Sequence, residues 1–142
     1  MAENKMLAGN RVLVVEDELM IALDMCGKLE AMGYVPVGPA GTVDEALTLL
    51  EGERPDFALL DENLRGRPVT PVAEALLRRG IPFALISGYS RSHSPHAILQ
   101  EASRVIKPAS SRMISDMLKE LSRSVAGRPA EREAHLPPVA DS

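Results

Sequence analysis

The sequence predicts an α/β domain, a parallel sheet with helices on both faces, and three observations carry that reading. Short apolar runs recur along the chain: "RVLVV" (11–15), "YVPVG" (34–38), "FALL" (57–60), "PFALI" (82–86) and "RVI" (104–106). Each run is followed by a segment with helical spacing or helix-start residues, and parallel strands need a crossover of about that length. The chain of 142 residues, 45% of them hydrophobic, is long enough for one full core.

The first run is a strand buried on both faces, since β-branched residues follow one another without polar alternation. From Glu18 to Met32 the spacing predicts a helix with Leu19, Ala22, Leu23, Cys26 and Leu29 on one stripe, and Gly33 as its stop. Met20, Ile21 and Met25 widen the apolar surface; a helix wedged between neighbours is the default, and a homodimer contact the alternative. Pro36 suits the second strand to an edge. Thr42 and Glu45 have capping-box spacing, opening a helix faced by Val43, Ala46, Leu47 and Leu50. The third strand, 57–60, ends at Asp61, and a loop containing Gly and Arg is expected to follow it. Thr70 and Pro71 read as N-cap and first residue of a helix that Gly80 closes. The fourth strand, 82–86, ends at Ser87, and Ser94-Pro95 starts a helix to about Ala102. The fifth, 104–106, runs straight into Lys107 and Pro108. A last helix, roughly 110–125, has Met113, Ile114, Met117, Leu118, Leu121 and Val125 at helical spacing. The expected organisation is an extension at 1–10, the domain at 11–126 and a flexible tail at 127–142, where three prolines and mixed charges carry no apolar period.

Composition removes several function classes. The net charge is −4, with no long basic tract, two Phe, two Tyr and no Trp. Phosphate backbones demand a positive surface, so no nucleic-acid partner is expected. No apolar run reaches membrane-helix length, and the N-terminus lacks a basic start followed by an apolar stretch, so no membrane or secretory role is expected. The single cysteine, Cys26, cannot form an intramolecular disulfide, which suits a cytoplasmic protein.

In an open parallel sheet, ligands bind outside the carboxyl ends of the strands. Those ends carry Glu16 and Asp17, Asp61, Ser87 and Lys107. Three carboxylates in one cleft repel each other and call for a cation. An all-oxygen donor set without Cys or His suits Mg²⁺ rather than zinc. A carboxylate can attack phosphorus to form an aspartyl-phosphate, whose charge Mg²⁺, a lysine and a hydroxyl would stabilise. That chemistry explains why a buried strand delivers a carboxylate at its tip.

Taken together, "VVEDE" (14–18), "LLDENLRG" (59–66), "ISGY" (86–89) and "VIKP" (105–108) resemble, in order and spacing, the receiver domain of two-component response regulators, CheY-like and of the stand-alone single-domain type. The likeness covers residues 11 to about 125. It implies a flavodoxin-like (βα)5 fold with five parallel strands in the order 2-1-3-4-5. It implies a phosphoryl group taken from a histidine kinase onto Asp61, with Ser87 and Lys107 holding its oxygens. Asp17 would ligate Mg²⁺ directly, Glu16 largely through water, and Asn63 through its backbone carbonyl. The Lys107–Pro108 bond would be cis. Receivers usually carry an aromatic three residues before the lysine; Arg104 stands there, leaving Ser87 and Tyr89 as the switch candidates beside it.

The expected function is a phosphoacceptor module, not an enzyme toward other substrates, that alters a surface read by an unidentified downstream protein. A phosphate sink and a non-phosphorylated interaction module are alternatives. A Mg²⁺-dependent phosphatase with an aspartyl-phosphate intermediate, of the haloacid dehalogenase type, is disfavoured because Asn63 stands where that family needs a second, proton-shuttling Asp. His93 and His96 lack a third ligand for zinc and read as a solvated helix start. Arg65, Arg67, Arg78 and Arg79 read as a solvated face, the first two flanking the site.

Overall fold

The computed structural model describes residues 9–89 and 95–127, with side chains as far as residue 123. Residues 1–8 of the predicted extension at 1–10, the helix start at Ser94, His93, and the tail beyond Gly127 lie outside the described residues. The elements are β1 (Arg11–Val15), α1 (Leu19–Ala31), β2 (Val35–Ala40), α2 (Val43–Gly52), β3 (Phe57–Asp61), β4 (Asn63–Leu64), β5 (Arg67–Pro68), α3 (Thr70–Arg78), β6 (Phe83–Ser87), α4 (Ala97–Gln100), β7 (Ser103–Ile106) and α5 (Ser111–Gly127). Five strands form one sheet in the order β2-β1-β3-β6-β7, every neighbouring pair parallel. This is the predicted flavodoxin-like doubly wound order. β2 is an edge strand, where Pro36 withholds no needed ladder donor.

Strand alternation splits the core in two. Leu13, Val15, Ala58, Leu60 and Leu85 pack with α2, α3 and Leu99 of α4. Val12, Val14, Leu59, Ala84, Ile86 and Val105 pack on the other face with Met25, Cys26 and Leu29 of α1 and Ile114, Leu118 and Leu121 of α5. With helices covering both sides, the strands need no polar residues between their ends.

The caps follow local chemistry. Thr42 Oγ1 accepts from the Glu45 N–H at 3.0 Å, and Glu45 Oε1 accepts from the Gly41 N–H at 2.7 Å, fixing the start of α2. Gly33 and Gly80 take positive φ just past α1 and α3, as their stop positions require. Among the described residues, no helix is long and apolar enough to cross a membrane.

Four expectations are corrected. The buried stripe of α1 is Ala22, Met25, Cys26 and Leu29; Leu19 is 63% and Leu23 50% exposed. With apolar residues on several sides of the helix, packing rather than periodicity chooses the inward face. Val69, not Thr70, is the N-cap of α3; Thr70 is its first residue, and its buried Oγ1 has no hydrogen-bond partner among the described residues. The helix expected to reach Ala102 is the four-residue α4. The segment after Asp61, expected to be a loop, is a small antiparallel hairpin, with β4 pairing β5. Arg65 and Gly66 form its turn, both at positive φ (55° and 84°), as a tight hairpin of this twist requires. Leu64, buried in the α2–α3 core, pins the hairpin down.

Candidate functional site at the carboxyl edge of the sheet

The site lies where the backbone ladder of the sheet runs out. Glu16 follows β1 and still donates its N–H to Ala40 of β2 at 2.9 Å. Asp61 is the last residue of β3, in register with Ile86 of β6. Lys107 follows β7 and donates its N–H to the Ser87 carbonyl at 2.7 Å. Four of the five strands therefore fix the backbones that carry the functional side chains, and main-chain bonds set their spacing. α1 adds a further hold: Lys28 Nζ donates to the Ala109 carbonyl at 2.9 Å, just past the Lys107–Pro108 bond, which is cis as the resemblance implied.

The predicted residues come together. Carboxylate oxygens of Glu16, Asp17 and Asp61 lie within 4.8 Å of one another. Lys107 Nζ is 3.5 Å from both Glu16 Oε1 and Asp61 Oδ1. Ser87 is buried and lines the same cleft, about 600 Å³ in volume, with Asn63, Tyr89 and His96. Ser87 Oγ accepts from the Tyr89 N–H at 3.1 Å, and Asp61 Oδ1 is 3.5 Å from the Asn63 N–H. The Tyr89 side chain is 60% exposed.

Burial and repulsion set the electrostatics. Desolvation pushes the Glu16 carboxyl up to about 7; the Glu18 N–H, which it accepts at 3.0 Å, pulls the other way, and Asp61 adds to the rise. Asp61 is also raised, chiefly by burial, with Lys107 opposing. Burial works against the Lys107 ammonium, yet the carboxylates of Asp61 and Glu16 outweigh it and hold its pKa above the usual lysine value. The cleft is short of positive charge, which is the condition a divalent cation relieves. Three hard oxygen donors without His or Cys fit Mg²⁺.

Sequence reasoning missed two contacts. Arg65, held at positive φ by the hairpin, reaches back so that its Nε is 3.4 Å from Asp17 Oδ2. Glu62 pairs with Arg104, NH1 to Oε1 at 2.8 Å, beneath the surface. The Arg104 side chain is only 9% exposed, its charge compensated by this partner. No local signal pointed to it, because Glu62 and Arg104 are far apart in the chain. Cys26, as expected, is a free buried thiol whose pKa burial raises.

No protein-family model matches the chain. It is similar to SdrG from Sphingomonas melonis Fr1: 38% identical, TM-score 0.69, covering 80% of this chain and 96% of that one. A second SdrG structure is of its BeF3-activated conformation, TM-score 0.67. A CheY-like response regulator receiver domain from Methylobacillus flagellatus shares the fold at 20% identity and TM-score 0.66, covering 79% of this chain and 98% of that one. Among curated proteins, the transcriptional regulatory protein PdtaR of Mycobacterium tuberculosis is 33% identical over 82 residues. That match takes in 57% of this chain and 40% of PdtaR, so the chain spans less than half of that relative's length.

Proposed function

This chain belongs to the CheY-like receiver family of two-component response regulators, and from that premise we propose that Asp61 accepts a phosphoryl group from the phosphohistidine of a histidine kinase. The observation that carries the proposal is the convergence of Asp61, Glu16, Asp17 and Lys107 on one cleft. An Asp61 carboxylate oxygen attacks phosphorus, the P–N bond of the donor breaks, and its electron pair returns to the imidazole nitrogen, which is protonated from water. Lys107 meets the oxygens gaining charge, and the Ser87 hydroxyl donates to one of them. Glu16, Asp17 and Asp61 are the residues that would hold Mg²⁺, with the Asn63 backbone carbonyl completing the protein ligands. When bound, the ion neutralises charge between attacking and transferred groups.

The module acts on its own carboxylate and on no other substrate, in the cytoplasm, and a downstream protein reads the state of Asp61. Two features support docking at this edge. α1 begins two residues after Asp17 and leaves Leu19, Met20 and Leu23 exposed. Tyr89 is likewise exposed beside Ser87. A phosphate sink would use the same chemistry without the reader.

The test is incubation with acetyl phosphate and Mg²⁺ followed by intact mass and peptide mapping. Wild type gains one phosphoryl group on Asp61, and Asp61→Asn, with nearly the same shape and no nucleophilic oxygen, gains none. A labelled Asp61→Asn protein, or wild type that stays unmodified, overturns the assignment.

A further inference from the structure

Arg104 faces Leu85 across the β6–β7 pairing, which places it on the sheet side that carries Leu60, Leu85 and Leu99. Its side chain is 9% exposed, and that of its partner Glu62 is 13% exposed. While NH1 meets Glu62 Oε1 at 2.8 Å, NH2 donates to the Leu99 carbonyl of α4 at 3.0 Å. Glu62 directly follows Asp61, and its backbone is held on two sides. Its N–H donates to the Ile86 carbonyl at 3.3 Å, and its own carbonyl accepts from the Val69 N–H at 3.2 Å. One guanidinium thus ties three separate segments together: the end of β3, the short helix α4 and strand β7.

A buried ion pair offsets its desolvation only while both partners and their extra hydrogen bonds are in place. Loss of either partner removes that compensation, so the contact behaves as a closed or open element. What it fixes is the position of α4 against β7 and of both against the residue beside Asp61.

Resting on the phosphoacceptor reading, we infer that the Glu62–Arg104–Leu99 contact is a latch that holds α4 in its unphosphorylated place and that phosphorylation of Asp61 opens. A phosphoryl group puts new negative charge one residue from Glu62 and offers Arg104 a competing anion. A latch that favours the unphosphorylated state also lowers the population of the competent state. Weakening it therefore makes phosphorylation easier.

Amide exchange on the full chain tests this with Glu62→Gln, Arg104→Met, Arg104→Lys and the double variant Glu62→Gln/Arg104→Met. In unphosphorylated protein, Glu62→Gln and Arg104→Met raise exchange in α4 and β7 by about tenfold, an estimate from the cost of removing one partner of a hydrogen bond that is largely shielded from solvent. They approach the level that wild type reaches with Mg²⁺ and beryllofluoride. The double variant goes no further than the larger single one, because both break one contact. Arg104→Lys, which keeps the charge, lies between wild type and Arg104→Met and serves if the Met variant does not fold. The singles also take phosphate from acetyl phosphate several-fold faster, a gain that simple destabilisation does not give. Additive effects, exchange rising evenly over the whole sheet, or unchanged α4 protection in beryllofluoride-treated wild type would overturn the latch. Wild type that gains no phosphoryl mass overturns the phosphoacceptor reading instead, while the exchange of the unphosphorylated variants still reports on the contact.

Discussion

Replacing Glu16 by Gln should stabilise the metal-free protein at alkaline pH and leave it nearly unchanged in acid. Glu16 is 6% exposed, shares its cleft with Asp17 and Asp61, and has its pKa pushed from 4.5 to about 7, mainly by burial. The native carboxyl therefore keeps a proton that the unfolded chain has already released between those two values. Stability from this group is greatest below the unfolded pKa and falls as pH rises to about 7. At about 1.4 kcal/mol per pH unit the ceiling is on the order of 3 kcal/mol. Gln removes that penalty, in which the Lys107 attraction is already contained; with relaxation of the charged site taking about half of the ceiling, the net gain is roughly 1–2 kcal/mol at pH 8. For a domain of this size that corresponds to a rise in Tm of about 3–8 °C. Near pH 5 the wild-type carboxyl is protonated and close to Gln in shape, so the two proteins should differ by less than ~0.5 kcal/mol. Asp61, raised in the same direction, is present in both proteins, and the raised Lys107 loses its contribution only in strong base. Thermal melts in EDTA from pH 5 to 8 read the difference. A variant that loses stability with pH as steeply as wild type, or that is less stable at pH 8, refutes the reasoning.

Adding Mg²⁺ should raise the Tm of wild type by mass action, by about 1.4 kcal/mol at ten times the dissociation constant, and Asp17→Asn should lose most of that rise. An undiminished response in the variant removes Asp17 from the ligand set. Ser87→Ala should still be phosphorylated, more slowly, yet lose much of the exchange change that beryllofluoride induces around Gly88 and Tyr89; an unchanged response excludes Ser87 as the coupling group. Thr70→Val should be stabilising by about 1 kcal/mol, because it removes a buried hydroxyl that makes no hydrogen bond among the described residues. A drop in Tm would reveal a partner for that hydroxyl.

The sheet was legible because its strands are nearly pure apolar runs. Val12 to Val15 are almost wholly buried, and no polar residue interrupts them to blur the reading. The site was legible for a related reason: a polar residue ending such a run must sit at the sheet's edge, so Glu16, Asp61, Ser87 and Lys107 could be placed together before any geometry was known. What escaped depends on contacts between distant parts of the chain. Leu19 and Leu23 share the helical spacing of Cys26, and only the packing of α1 on the sheet turns them outward. The β4–β5 hairpin hides behind Arg65, a residue that does not advertise positive φ as Asn or Gly would. Glu62 looks like one more loop acid until Arg104 is brought over it by the β6–β7 pairing.

Because the cleft is assembled from the ends of β1, β3, β6 and β7, no contiguous stretch of the chain contains it. Separating β1, β3, β6 or β7 from the sheet abolishes it, and losing β2 frees the backbone of Glu16. Chemical competence is thus a readout of the whole folded sheet rather than of one local cooperative unit. A nascent or proteolysed chain lacking β7 has Asp61 but no Lys107 opposite it, so the proposed phosphoryl site is incomplete. Phosphorylation measured along a denaturation curve should accordingly disappear together with global unfolding, with no active partly folded species before it.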